Sequence, residues 1–382
     1  MAVLALLGMR PLWADELLQL TGARGGTWSA VIHWAQVLPG GAPLPLLLQK
    51  LAVMSLGWSN WAMRLPAALF GIGAAVVFAR IARGNRTALA MFLAMPILVR
   101  YAMEGRMYSQ ALFFVLLAWD ARSKGVRIVA CVAAVYSSPF AIFPLLAIQP
   151  LNALVAGAAF LPWWLMQRGC QAAQGSLSAY QFGWAQLSPP LALREFTGGG
   201  YWCGVPFLLL VIMGWRGRPE RASAMMGASL VGPVLADAIA GYFFATRQWL
   251  FGLPAMILTA ASASHRAVIV LLCVFFAGAL GKDIRQTFFA AEDWGAAAKA
   301  IRAELAGGGC LVVAPAEQIA YYSFYEPELT ARVCAGEHTG PVVVAASPYT
   351  DSADERRQLE GVAVGRKRVV GTMRITTGSY SR

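Results

Sequence analysis

Two adjacent carboxylates near the start of the chain, Asp15 and Glu16, are the side chains best suited to chemistry. Only seven acidic residues precede position 281, and two of them stand side by side here. A carboxylate beside a membrane is costly unless it is solvated, paired or used, so clustered acids in an acid-poor, apolar chain indicate a functional site. The alternative is that both acids are simply solvated at a membrane surface.

A third acid, Glu104, lies in the short polar segment 100–106. A carboxylate within hydrogen-bonding reach of a hydroxyl can act as a general base. Arginine and lysine side chains nearby can bind a phosphate and stabilise its charge as it leaves. This combination predicts glycosyl transfer from a lipid-linked sugar phosphate. The candidate phosphate-binding cations, each of which could instead contact lipid headgroups, are Arg106, Arg247, Lys50 and Arg64.

The composition indicates a polytopic membrane protein. Of 382 residues, 58% are hydrophobic and only 13% are charged, whereas about a quarter of the residues of a soluble protein are charged. The net charge of +12 lies entirely before position 281, because the remaining residues carry twelve basic and twelve acidic side chains. Basic residues that flank membrane spans set topology, so membrane lipids are predicted partners and nucleic acid is excluded.

The basic clusters at 80–86 and 122–127 predict that both segments face the cytoplasm. The segment 100–106 between them must then face outward. The region 10–64 also lies outside if Pro43–Trp58 does not cross the membrane. Its 16 residues, with Lys50 in the middle, favour a helix lying along the membrane surface. Asp15, Glu16 and Glu104 are thereby predicted to share one face.

The residues before position 281 are predicted to form a transmembrane domain, 1–280, with about 11 spans of apolar sequence. The segment 126–150 is either one kinked helix or, as the charge pattern favours, a hairpin of two short helices. The first nine residues predict a truncated first span, and 167–200 predicts an outer loop. Clear apolar segments include Leu65–Ile81, Thr87–Val99, Met107–Trp119, Leu151–Met166, Tyr201–Trp215, Ser223–Ala240, Trp249–Ala263 and Ala267–Leu280.

The tail, 281–382, predicts a small α/β domain on the outer face. Asp293–Leu305 and Asp351–Glu360 have helical patterns, whereas Cys310–Ala314 and Val342–Ala346 are short β-rich runs. The six cysteines show no metal-binding spacing. Two of them, Cys310 and Cys334, could form a disulfide if the tail is outside the cell membrane.

Four runs resemble the protein O-mannosyltransferase-like, family 39-like glycosyltransferases with the GT-C membrane fold, which include bacterial enzymes that use polyprenyl-phosphate sugars. The runs follow the family's order from Leu12 to Pro254. They are LWADELLQL, GGAPLPLLLQKLAVMSLGWSNWAMRLPAALFGI, YAMEGRMYSQALFFVLLA and ATRQWLFGLPAMIL. The resemblance implies an all-α, polytopic GT-C-like bundle that carries the small α/β domain.

The resemblance also implies a role for each matching residue. Asp15 would be the catalytic carboxylate with Glu16 as its neighbour, and Glu104 would be the partner acid. Arg106 and Tyr108 would line the site, and Arg247 would lie near the lipid phosphate. The implied reaction is inverting: an acceptor hydroxyl deprotonated by Asp15 attacks the anomeric carbon, and polyprenyl phosphate leaves.

The chain departs from the family at two interior positions. Where members often have His-Pro-Pro or Lys-Pro-Pro, this chain has Gly41-Ala42-Pro43-Leu44-Pro45. A histidine that members often carry near the centre of the fold is replaced by Ser137-Ser138. A divalent metal between Asp15 and Glu104 is permitted but not required, and no metal ligands are predicted.

We therefore predict a glycosyltransferase of the bacterial inner membrane that acts on its extracytoplasmic face. It would move a sugar from a polyprenyl-phosphate carrier to a cell-envelope acceptor, which could be a glycolipid, a polysaccharide or a protein. Two alternatives stay open. A transporter or flippase predicts acids near the bilayer midplane and repeated halves, and a non-catalytic envelope-assembly partner predicts that Asp15 is dispensable.

Overall fold

The structure is a computed structural model. It describes residues 7–8, 11–24, 26–38, 41–173, 196–198, 201–217, 220–240, 246–263, 266–289, 292–314, 316–334, 340–347, 352–370 and 372–380. The predicted first span and most of the predicted 167–200 loop lie outside these residues. The chain divides into two compact units. The first comprises Met1–Leu7 and Gly22–Ile284, and the second comprises Gly8–Thr21 and Arg285–Arg382.

The first unit is a bundle of helices. The helix Ala14–Arg24 begins in the second unit and ends in the first. The other helices of the first unit are Trp28–Val37, Pro43–Leu56, Asn60–Ile81, Arg86–Ala94, Pro96–Ala102, Tyr108–Asp120, Lys124–Ser137, Ile142–Ile148, Pro150–Ala173, Tyr201–Met213, Glu220–Ala240, Leu253–Ala261 and Arg266–Phe289. Short 3-10 turns occur at Pro139–Ala141, Gly214–Gly217 and Thr246–Gly252.

The helix Asn60–Ile81 packs along Tyr108–Asp120. A Cβ atom at Gly73 would lie 2.9 Å from the ring of Phe113, so this ring packs directly against the glycine. Their apolar faces belong to one continuous core. This helix pair positions the turn that precedes Tyr108.

Two described helices are long and apolar enough to cross a membrane, Asn60–Ile81 with 22 residues and Glu220–Ile239 with 20. The helix Pro43–Leu56 forms where a surface helix is predicted, and its 14 residues at about 1.5 Å each extend about 21 Å. That is shorter than the hydrocarbon core of about 30 Å. The total of about 11 spans stays a prediction.

The predicted span Thr87–Val99 is interrupted, because two short helices meet there at Met95 and Pro96. Proline has no N–H for a helical hydrogen bond, and it disfavours helical geometry at the preceding residue. Met95 accordingly has an extended conformation, with φ −65° and ψ 113°. The 126–150 segment also breaks, between Ser137 and Ile142, as the hairpin alternative requires.

The second unit contains a four-stranded sheet in the order β1-β2-β4-β3. Its strands are β1 (Cys310–Ala314), β2 (Gly340–Ala346), β3 (Val362–Val370) and β4 (Met373–Tyr380). β1 and β2 are parallel, and β4 is antiparallel to both β2 and β3. Helices Trp294–Glu304, Ile319–Tyr325 and Ser352–Leu359 complete the unit. The predicted α/β character of the tail is confirmed, and Cys310 and Cys334 form a disulfide.

Candidate functional site

The acid pair lies in the second unit, in the first turn of the helix Ala14–Arg24. Glu16 is completely buried, and its Oε2 accepts a hydrogen bond from the backbone N–H of Trp13 at 3.4 Å. A glutamate that reaches back to the residue before the helix is half of a capping box. Asp15 is only partly buried. Of the two acids, Asp15 is therefore the more exposed.

The second acidic segment lies in the first unit, in the turn between helices Pro96–Ala102 and Tyr108–Asp120. Glu104 is completely buried there and forms an ion pair with Arg100, with 2.9 Å between Oε1 and Nε. The backbone N–H of Arg106 donates to the Glu104 carbonyl at 2.7 Å. These contacts give the turn a defined geometry.

The surface-helix candidate Pro43–Leu56 is tied to the same turn. The buried side chain of Gln49 donates from Nε2 to the carbonyl of Gly105 at 2.6 Å. The next residue, Lys50, is 5% exposed, and its Nζ lies 5.5 Å from the centroid of the Trp28 ring. Lys50 is thus held within the bundle by packing and a cation–π contact.

Two tyrosines, Tyr101 and Tyr108, lie at this turn, and Arg247 interacts electrostatically with the first of them. The rings of Tyr101 and Tyr108 lie 4.5 Å apart, and the guanidinium of Arg106 lies 5.8 Å from the Tyr108 ring. Burial raises the pKa of Tyr101 well above its usual value, with Tyr108 and Glu104 adding to the increase, whereas Arg247 and Arg100 oppose it. Arg247 therefore acts electrostatically on the same phenol as Arg100.

These six residues of the first unit form a polar cluster, which we call the Tyr101 cluster: Arg100, Tyr101, Glu104, Arg106, Tyr108 and Arg247. Four of them were candidates from the sequence: Glu104, Arg106 and Tyr108 lie in or next to one turn, and Arg247 interacts electrostatically with Tyr101. Arg100 and Tyr101 were missed as candidates, although they stand in the same segment. The remaining candidate cation, Arg64, is completely buried and donates from Nη1 to the Leu7 carbonyl at 2.9 Å.

An apolar cavity of about 150 Å³ lies beside this turn, within the first unit. Its wall includes Ala102 and Ser109, which flank the turn on either side, and Ile72 and Leu93, which are exposed on the outside of the bundle. An apolar cavity of about this size can hold benzene, so it has room for one five-carbon isoprene unit. The cavity is therefore suited to part of an apolar chain.

The run Gly41-Ala42-Pro43, where the chain departs from the family, begins at a closely packed glycine. The buried side chain of Gln167 donates from Nε2 to the carbonyls of Ala35, Leu38 and Gly41 at 3.2, 3.0 and 2.7 Å. A Cβ atom at Gly41 would lie 2.3 Å from the Ala35 carbonyl oxygen. No larger side chain fits at position 41 without a backbone shift.

No group of three or more His, Cys, Asp and Glu side chains within the described part of the chain could hold a metal ion. In the Tyr101 cluster, the groups that could bind a phosphate are guanidinium and phenol groups. Both can donate hydrogen bonds to phosphate oxygens.

An apolar helical bundle followed by a small α/β domain, with polar side chains gathered at its turns, is the architecture of the GT-C fold. The comparison with solved structures identifies this fold in the chain. A crystal structure of ArnT from Cupriavidus metallidurans in the apo state matches with a TM-score of 0.61 and 13% identity, over 98% of this chain and 96% of that one. A crystal structure of the same protein bound to undecaprenyl phosphate matches with a TM-score of 0.59 and 14% identity, over the same shares.

These likenesses confirm the predicted GT-C fold. No protein-family model and no curated protein matches the chain. Membership of the O-mannosyltransferase-like group stays a prediction.

Proposed function

We propose that this protein is an integral membrane glycosyltransferase that uses a polyprenyl-phosphate-linked sugar. The observation that carries the proposal is the likeness to ArnT bound to undecaprenyl phosphate, which extends over 98% of the chain. The acceptor would be a glycolipid, polysaccharide or protein of the cell envelope, reached on the extracytoplasmic face of a bacterial inner membrane.

The Tyr101 cluster supports a phosphate-binding role in the first unit. It has three arginines and one buried carboxylate, so it carries excess positive charge. Arginine presents a planar set of donors that matches phosphate oxygens. The neighbouring apolar cavity would take the first isoprene unit of the carrier, since the headgroup and the chain of one lipid need adjacent polar and apolar sites.

In the proposed reaction, Asp15 accepts the proton of an acceptor hydroxyl. The hydroxyl oxygen forms a bond to the anomeric carbon while the bond from that carbon to the phosphate oxygen breaks. Polyprenyl phosphate departs with the electron pair of the broken bond, and the anomeric configuration inverts. Arg247 and Arg106 stabilise the charge on the departing phosphate, and Glu104 holds Arg100 in the cluster.

The test is turnover by the purified full-length protein. Undecaprenyl-phosphate-linked mannose, glucose, galactose and arabinose are supplied one at a time, with a total envelope fraction as acceptor, and released undecaprenyl phosphate is measured. We expect one donor to be consumed, and Asp15→Asn to lower kcat by about 100- to 10,000-fold, the usual contribution of general base catalysis.

The matched control is Asp120→Asn, because Asp120 pairs with Arg80 in a segment predicted to face the cytoplasm. That variant should retain wild-type turnover. Full activity of a folded Asp15→Asn protein would refute the base assignment. Binding of undecaprenyl phosphate without turnover of any donor would favour the non-catalytic alternative.

A further inference from the structure

The start of the helix that carries Asp15 is held by a remote residue. The backbone N–H of Ala14 donates to Oε2 of Glu292 at 3.1 Å, across 278 positions of sequence. The first N–H groups of a helix have no partners within it. A carboxylate also interacts favourably with the positive end of the helix dipole. Glu292 therefore caps the helix at the residue directly before Asp15.

Glu292 is itself firmly supported. Its Oε2 also accepts a hydrogen bond from Nε1 of Trp294 at 3.0 Å. Trp294 is completely buried, and its ring lies 4.9 Å from that of Tyr321 and 5.0 Å from that of Tyr322. The indole thus holds the carboxylate from the core of the second unit. All of these residues belong to that unit.

Two glutamates cap the N-terminus of the helix Ala14–Arg24. Glu16 accepts from Trp13, and Glu292 accepts from Ala14, so the two consecutive N–H groups are bound by carboxylates from opposite ends of the chain. Together they restrict the backbone on the N-terminal side of Asp15. The direction in which the Asp15 side chain leaves the helix depends on that backbone.

We propose that Glu292 is a positioning residue for Asp15: by capping the helix at Ala14 it orients the carboxylate that takes the acceptor proton. This inference rests on the proposed function of Asp15. The proposal gives the C-terminal tail a part in the reaction. The Glu292–Trp294 pair of the tail would orient Asp15, which lies near the other end of the chain.

The experiment compares three variants in the turnover assay, using the donor that the wild-type protein consumes. Misplacing a catalytic group by about 1 Å can cost about 100-fold, so we expect Glu292→Ala to lower kcat by about 10- to 100-fold while the donor KM stays within about twofold. Glu292→Gln keeps an oxygen acceptor in the same place and should retain kcat within about threefold of wild type.

Asp293→Ala is the control for a purely structural effect. Asp293 caps the neighbouring helix Trp294–Glu304 by accepting from Ala296 at 2.8 Å, so its loss destabilises the same unit without removing the Ala14 contact. We expect this variant to keep wild-type kcat. An equal loss of kcat in Asp293→Ala and Glu292→Ala would show that Glu292 is merely structural, and wild-type kcat in Glu292→Ala would overturn the proposal.

Amide hydrogen exchange adds a readout that needs no substrate. Peptides covering 12–18 should exchange about tenfold faster in Glu292→Ala than in the wild-type protein, and at the wild-type rate in Asp293→Ala. Unchanged exchange in Glu292→Ala would refute the cap. If Asp15→Asn is inactive while Glu292→Ala is fully active, only the positioning role fails. If Asp15→Asn is itself fully active, the proposed function of Asp15 fails.

Discussion

The guanidinium Nε of Arg100 lies 2.9 Å from the carboxylate Oε1 of Glu104, four residues further along the chain. The Glu104 side chain is completely buried, whereas that of Arg100 is 39% exposed. The pair closes the turn that contributes most of the Tyr101 cluster. It gives this turn a charge-assisted contact that does not depend on a bound substrate.

Loss of this ion pair should destabilise the first unit. We expect Arg100→Met to lower the free energy of unfolding by about 2 kcal/mol, less than the 3–5 kcal/mol of a fully buried pair, because solvent screens the exposed arginine. Glu104→Gln removes the charge that Arg100 faces. The double variant should therefore be more stable than the sum of the two single effects predicts. Chemical denaturation in detergent measures all four proteins, and strict additivity would contradict a direct interaction.

The apolar cavity predicts a selective effect on donor binding. Ala75 lines the cavity, and Ala75→Leu adds three carbons to its wall. We expect the KM of an undecaprenyl-phosphate-linked sugar to rise about tenfold, equivalent to about 1.4 kcal/mol, with kcat unchanged because only uniform binding is lost. The adjacent Val76 is 57% exposed and does not line the cavity, so Val76→Leu is the matched control. Equal KM values in the two variants would show that the carrier does not use this cavity.

Much of the tail could be predicted from local pattern alone. The predicted strand Cys310–Ala314 has the observed bounds, and the predicted helix Asp293–Leu305 appears as Trp294–Glu304 with Asp293 as its cap. Strand β3 was missed for a physical reason. It is an edge strand that is exposed along nearly its whole length, so no buried face imposes alternation on its sequence.

The candidate site was only partly accessible from the sequence. Glu104 and Arg106 could be found because they stand in one short polar segment between apolar ones, whereas Tyr108 was a candidate only through the family resemblance. Glu292 could not be found, because a hydrogen bond from a backbone N–H to a carboxylate 278 positions away leaves no periodic or spacing signal. The capping role of Glu16 likewise depends on where the helix begins, which spacing alone does not define.

The disulfide between Cys310 and Cys334 predicts the redox environment of the tail. Disulfides persist in the bacterial periplasm and are rare in the cytosol. We expect denatured protein from thiol-trapped membranes to show four reactive thiols before reduction and six after it, because Cys131, Cys170, Cys203 and Cys273 are free. Six reactive thiols without reductant would argue for a cytosolic tail.

Replacing both bridged cysteines with serine should lower the free energy of unfolding of the second unit by about 3 kcal/mol, as expected for a bridge of this sequence separation.

The packing at Gly41 predicts opposite effects for two glycine-to-alanine substitutions. A Cβ at Gly41 would lie 2.3 Å from the Ala35 carbonyl oxygen, whereas a Cβ at Gly169 would meet nothing within 4 Å. We expect Gly41→Ala to lower the free energy of unfolding by about 2 kcal/mol, because the backbone must shift to relieve the clash. Gly169 lies inside the helix Pro150–Ala173, so Gly169→Ala should raise stability by about 0.5 kcal/mol through its better helix propensity. Denaturation midpoints in one detergent measure both changes. An unchanged midpoint in Gly41→Ala would show that the backbone near Gly41 and Ala35 is not closely packed.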